Sequence, residues 1–147
     1  MSLIRKECID HCDTRKICVV EEKGKKYELK NNSGFEVRKI RVDKCLSQGT
    51  GEKRCDFLVS IDNDKLKRAI FIELKGGKLT DAVKQIYDTV VFLRPEFKGF
   101  VLDGRIIGSR DVPNIGNNPI FLKLRRELKV TGGDIDRATN GIYSENI

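Results

Sequence analysis

Two short, almost unbroken apolar runs, residues 54–61 (RCDFLVSI) and 69–75 (AIFIELK), constrain this chain more than any other feature. An apolar side chain at nearly every position means that both faces of each segment are covered, the pattern of a central strand in a sheet packed on two sides. The polar stretch 62–67 is short enough to join neighbours, so the two strands are expected side by side. Directly afterwards Leu79, Ala82, Val83, Ile86, Tyr87, Val90 and Leu93 recur at steps of three and four. That spacing predicts an amphipathic helix over 79–93, with Thr80 as N-cap and Asp81 in its first turn. Residues 99–103 give a further apolar strand, and 119–130 a second helix with Ile120, Phe121, Leu124 and Leu128 on one face. The reading is a single α/β domain over 1–147, a mixed central sheet flanked by helices.

The ends of the chain carry weaker patterns. Ile17, Val19, Tyr27 and Leu29 alternate with polar residues about a Lys-Gly-Lys turn, a hairpin signal. Phe35, Val37, Ile40, Val42 and Leu46 continue the alternation with one phase slip, so an N-terminal β-meander is expected. Residues 3–13 read as a short helix with Leu3, Ile4 and Cys8 inward, and 105–118 as loop. From Thr131 onward the chain is polar, and 131–147 reads as a mobile tail.

Composition narrows the setting. The chain has 147 residues, enough for a core without staples, since a domain of that size buries about 68–70% of its unfolded surface. No apolar run approaches the ~20 residues needed to cross a bilayer, and no apolar segment follows the charged start, so a cytoplasmic location and no membrane partner are expected. Five cysteines, an odd number at irregular spacing, read as reduced thiols. Cys8, His11, Cys12 and Cys18 offer metal-binding atoms, but their spacing matches no standard zinc module, so no structural zinc is expected.

Each of the two central runs spends a position on acid, although a buried carboxylate is costly unless it is paired or bound to metal. Glu73 and Lys75 lie two apart on one strand and so share a face, and Asp56 lies on the neighbouring strand. Two carboxylates and an ammonium converge. Carboxylate and carbonyl oxygens suit Mg²⁺, which lowers the pKa of a bound water and screens phosphate charge. The alternative is structural, an ion pair of Glu73 with Lys75 or Arg54.

Asp56, then Glu73-Leu74-Lys75, then the amphipathic helix and the strand 99–103, resembles the PD-(D/E)xK nuclease superfamily, whose restriction-endonuclease-like fold includes the Holliday-junction resolvases. The resemblance spans residues 54–103. It implies that Asp56, Glu73 and the Leu74 backbone carbonyl hold Mg²⁺, with Mn²⁺ as a substitute, and that Lys75 is the catalytic lysine. Gln85 resembles a glutamine found on the following helix in several branches of the superfamily. Cys55 stands where the name-giving proline would be, and Glu7 and Asp10 are the candidates for an acid on the first helix.

The tripeptide Glu-x-Lys occurs five times, beginning at Glu21, Glu28, Glu73, Glu96 and Glu127. Only Glu73 has a buried strand before it, an acid-bearing strand upstream and an amphipathic helix downstream. Asp43 could reach the site from a neighbouring strand, although a turn or surface role is the simpler reading. His11 is the one histidine and sits in an unpatterned segment, which argues against Ser-His-Asp or Cys-His catalysis. No phosphate-binding glycine loop is present.

Lys+Arg exceed Asp+Glu by 29 to 22, a net charge of +7. Lys39, Arg41, Lys53, Arg54, Lys78, Lys123, Arg125 and Arg126 are the candidates for phosphate contacts along nucleic acid, with DNA favoured. The function expected from these residues is therefore Mg²⁺-dependent hydrolysis of DNA. A non-cleaving nucleic-acid or protein-binding module of the same fold is the alternative. Substrate structure and assembly, a homodimer included, are not legible.

Overall fold

The computed structural model describes residues 3–46, 53–74, 78–108 and 115–147. The strands and helices in chain order are β1 (Ile9–Asp13), β2 (Ile17–Glu22), β3 (Lys25–Lys30), β4 (Val37–Arg41), β5 (Phe57–Asp62), β6 (Lys67–Leu74), α1 (Leu79–Leu93), β7 (Val101–Ile107), α2 (Pro119–Val130), β8 (Ile135–Ala138) and β9 (Ile142–Asn146). They build a six-stranded sheet in the order β1-β4-β5-β6-β7-β8 and a three-stranded sheet in the order β2-β3-β9. In the large sheet β1, β4, β5 and β6 pair antiparallel, whereas β6, β7 and β8 run parallel. The mixed α/β class is as expected, and β5 and β6 are adjacent and central.

The large sheet is covered on both faces, which is why its central strands carry almost no polar residue. On one face Leu58, Ala69, Phe71, Leu102 and Ile106 pack against Ile86, Val90 and Leu93 of α1 and Leu124 and Leu128 of α2. On the other, Val59, Ile61, Ile70, Ile72 and Ile107 meet Cys18, Val20, Tyr27 and Leu29 of the small sheet. Both helices have the predicted bounds. Asn118 caps α2, its side-chain oxygen accepting from the amides of Ile120 and Phe121 at 3.0 Å each. The N-cap of α1 is Lys78, not Thr80, and its side chain makes no capping bond. Among the described residues no helix is long and apolar enough to cross a membrane.

Four sequence expectations are corrected. Residues 3–13 are not a helix: a single 3-10 turn, Lys6–Cys8, leads into β1, which pairs with β4. Three inward apolar residues cannot hold a free-standing helix, whereas an open sheet edge offers backbone partners at once. The N-terminal meander is divided, because β2 and β3 form a hairpin in the small sheet while β4 belongs to the large one. Its tight turn is Lys23-Gly24, both at positive φ (52° and 79°), the conformation a two-residue hairpin demands. The segment 105–118 is not all loop, since β7 continues through Ile107. Nor is 131–147 a tail: β8 extends the large sheet and β9 pairs parallel with β3.

The closing strand is held by charge. Glu145 on β9 accepts from Arg105 Nε at 2.9 Å, from Arg68 Nη2 at 3.0 Å and from the Tyr27 hydroxyl at 2.7 Å. Asp103 accepts from Arg68 Nε at 2.7 Å. One glutamate therefore ties both sheets together. Burial pushes its carboxyl up, but the Arg105, Tyr27 and Arg68 contacts outweigh it and hold the group below its ordinary value. Gly133, on the approach to β8, is equally constrained, because a Cβ there would lie 1.9 Å from the Leu102 carbonyl oxygen.

The expectation of five reduced thiols is also corrected. Cys8 is bonded to Cys45 and Cys12 to Cys18, with Cα separations of 5.7 and 5.6 Å, and Cys55 alone is free and buried. The odd count reflects two bridges plus one core thiol. Cys8 and Cys45 are 37 residues apart, and only the pairing of β1 with β4 brings their segments together.

Thiol titration of the denatured, unreduced protein should therefore find one reactive group per chain; five would contradict the bridges. Glu145→Ala should lower the unfolding free energy by roughly 3 kcal/mol, since it removes the carboxylate that Arg68 and Arg105 share in a largely buried setting. Because the folded pKa of Glu145 is depressed, its stabilisation is complete above the unfolded value of about 4.3 and is lost as pH falls through the folded value. The stability gap between wild type and Glu145→Gln, read from urea midpoints, should accordingly shrink in acid.

Candidate functional site

The site begins where β5 starts. Phe57 pairs with Ile72, so continuing the antiparallel register by one step sets Asp56 opposite Glu73. Asp56 lies in the bend just before the strand, at the C-terminal end of β6. The two acids hold each other's backbone: the Leu74 amide donates to Asp56 Oδ2 at 2.8 Å, and the Asp56 amide donates to Glu73 Oε1 at 3.2 Å. Both predicted metal ligands are thus brought together, with Leu74 between them in the same hydrogen-bonded ring. Glu73 is 2% exposed, on the helix-covered face with Ala69 and Phe71, so its acid is held deep in the domain.

The strand entry 54–56 is fastened to α1. Gln85 Nε2 donates to the Arg54 carbonyl at 3.2 Å. One turn later Thr89 Oγ1 accepts from the Cys55 amide at 2.8 Å and donates to the Gln85 carbonyl at 2.6 Å. Gln85 therefore bonds to the backbone that leads into Asp56. Thr89 is the residue that sequence reasoning misses; its only signal is a hydroxyl within the buried stripe of α1. Cys55 is fully buried, and burial, with Glu73 nearby, pushes its thiol well above the ordinary value. It stays neutral and adds no charge beside the acids.

Around Asp56 opens a cavity of about 90 Å³ lined by Glu22, Arg41, Asp43, Lys44, Asp56 and Phe57. Asp43 also accepts from the Arg54 amide at 3.5 Å, so it belongs to the neighbourhood of the site. Of the candidate first-helix acids, Glu7 lies exposed in the 3-10 turn and Asp10 on β1 pairs with Arg41 Nε at 3.1 Å. Neither sits on a helix of the expected kind.

The row formed by Asp56 and Glu73 does not stop at β6. Glu73 pairs with Ile106 on β7, and Ile106 with Arg137 on β8, and neighbours in register share a sheet face. Arg137, from the segment expected as a tail, thereby joins the row that carries both acids.

The basic candidates are dispersed. Lys39 donates to the Val19 carbonyl at 3.2 Å, bridging the two sheets, and lies on the face opposite Glu73 because its partner Val59 does. Arg41 is occupied by Asp10, and Arg54 lies over the Phe92 ring at 4.7 Å. Arg125 pairs with Asp134 at 3.3 Å. Lys53, Lys78, Lys123 and Arg126 are exposed. Lys75 lies outside the described residues.

The donor set fits a hard divalent cation: the two carboxylates, held together by the amides of Leu74 and Asp56, offer oxygen atoms only, as Mg²⁺ prefers. The sulfurs of Cys8, Cys12 and Cys18 are in S–S bonds, and His11 groups with Asp13 and Glu36 on the exposed surface. No family model, curated protein or solved structure compared with the chain gives a match.

Proposed function

We propose that this chain is a nuclease of the PD-(D/E)xK type, with the restriction-endonuclease-like fold, that hydrolyses phosphodiester bonds in DNA with Mg²⁺. The observation that carries the reading is the pair of bonds at the shared end of two central strands, the Leu74 amide to the Asp56 carboxylate and the Asp56 amide to the Glu73 carboxylate. The order β5-β6-α1-β7 supports it as well, being the order of strand, strand, helix and strand on which the sequence resemblance rests. Asp56, Glu73 and the Leu74 carbonyl would hold the ion, which when bound supplies an acidified water and screening of phosphate charge.

The protein's own groups do the rest. The amides of Leu74 and Asp56 fix one oxygen of each carboxylate and so orient the other. Gln85 and Thr89 keep the segment 54–56 against α1, setting the depth at which Asp56 stands. Lys75 orients or deprotonates the attacking water. The outward cations Lys53, Lys78, Lys123 and Arg126 supply diffuse attraction to the phosphate backbone.

A second reading has its own support. The same hydrogen bonds give each acid a structural duty, so the pair could serve a nuclease-like fold that binds nucleic acid without cutting it. Cleavage and affinity measured on the same variants separate the two. Glu73→Gln and Lys75→Ala should each lower Mg²⁺-supported cleavage of DNA by at least about 10²-fold while leaving affinity in chelator nearly unchanged. Cleavage that persists in chelator, or that survives both substitutions, would contradict the proposal; binding with no cleavage by the wild type would establish the second reading.

A further inference from the structure

At the Arg137 end of the row lies a second, larger cavity of about 240 Å³, lined by Leu79, Ile106, Ile115, Phe121, Arg125, Ile135, Asp136 and Arg137. It shares the wall residue Ile106 with Glu73, its partner in register. Adjacent strands lie about 4.8 Å apart, so Arg137, two strands from Glu73, is about 10 Å along the row. Five walls are apolar, one of them the half-buried Phe121 ring, and two are guanidinium groups. The one acid, Asp136, already accepts from the Tyr143 hydroxyl at 2.7 Å and from the Arg137 amide at 2.9 Å.

We propose that this cleft receives the sugar and base of one unpaired nucleotide next to the scissile phosphate, so that the substrate is DNA with an extruded, flapped or single-stranded residue. The inference deepens the nuclease reading and rests on it. The size is apt: pockets that enclose drug-sized ligands run to about 300–1,000 Å³, and a cleft somewhat below that range suits a single nucleoside. So is the chemistry, because an aromatic ring and aliphatic walls accept the face of any base, while the guanidinium groups of the lining supply positive charge for its flanking phosphates. A paired base inside a continuous duplex could not enter without leaving its stack.

The test needs two readouts, one of them independent of cleavage. Binding of deoxyadenosine monophosphate to the whole chain in chelator, followed by NMR, should shift the resonances of Ile106, Ile115, Phe121 and Ile135. The same shifts should appear in Glu73→Gln, which separates the cleft from the cutting site. Ile115→Trp, which fills the cavity, and Phe121→Ala, which removes a partly exposed ring, should each weaken that binding at least about tenfold. With oligonucleotides, a duplex bearing one unpaired 2-aminopurine should bind more tightly than its fully paired counterpart and lose that advantage in both variants. Equal affinity for the two duplexes, or nucleotide shifts that map away from the cleft, would overturn the inference even if metal-dependent cleavage were found. Loss of cleavage with the nucleotide shifts retained would count against the nuclease reading alone.

Discussion

The backbone register of four neighbouring strands is the interaction on which the rest of the site depends. Antiparallel pairing of β5 with β6 and parallel pairing of β6 with β7 and of β7 with β8 set Asp56, Glu73, Ile106 and Arg137 on one row. A slip of one residue anywhere in that ladder would turn a side chain to the opposite face and dismantle the constellation. The register is protected because both faces are buried: shifting β6 would send Phe71 into the small sheet and Ile72 under the helices, where neither fits its present neighbours. Core packing and site geometry are thus one constraint.

What keeps the small sheet in place is of a different kind. Arg68 and Arg105 of the large sheet converge with Tyr27 on Glu145 of the last strand, and Asp103 accepts from Arg68. Desolvating such a cluster is expensive, and replacing it with apolar residues is often neutral for stability. Here it joins β9 to the large sheet, since both arginines meet the one carboxylate of Glu145. The disulfide between Cys8 and Cys45 acts in the same direction near the other edge, fastening the chain before β1 to the turn after β4.

The parts of this architecture that the sequence reveals are those governed by local periodicity. The helices 79–93 and 119–130, the hairpin about Lys23 and Gly24, and the adjacent buried strands all follow from side-chain spacing that a single segment displays. The parts it conceals depend on partners distant in the chain. Residues 135–146 are too polar to announce strands, and β9 is held through Glu145 by Arg68 and Arg105, which lie far away in the chain. Residues 9–13 form a strand because β4 offers an edge, and four cysteines pair because folding brings them together. At the site, Asp56 and Glu73 are legible as acids inside apolar runs. Thr89 and Arg137 are not, since a hydroxyl in a helix stripe and an arginine in a polar segment carry no signal alone.

The proposed chemistry rests on one claim, that Asp56 and Glu73 together form the place where a divalent ion binds. Paramagnetic broadening by substoichiometric Mn²⁺, mapped residue by residue in the amide NMR spectrum, tests it most directly. The amides of Asp56 and Leu74, bonded to the two carboxylates, should broaden first, with Mg²⁺ competing and Glu73→Gln abolishing the effect. Broadening confined to the exposed group of His11, Asp13 and Glu36, with Asp56 and Leu74 untouched, would contradict the claim.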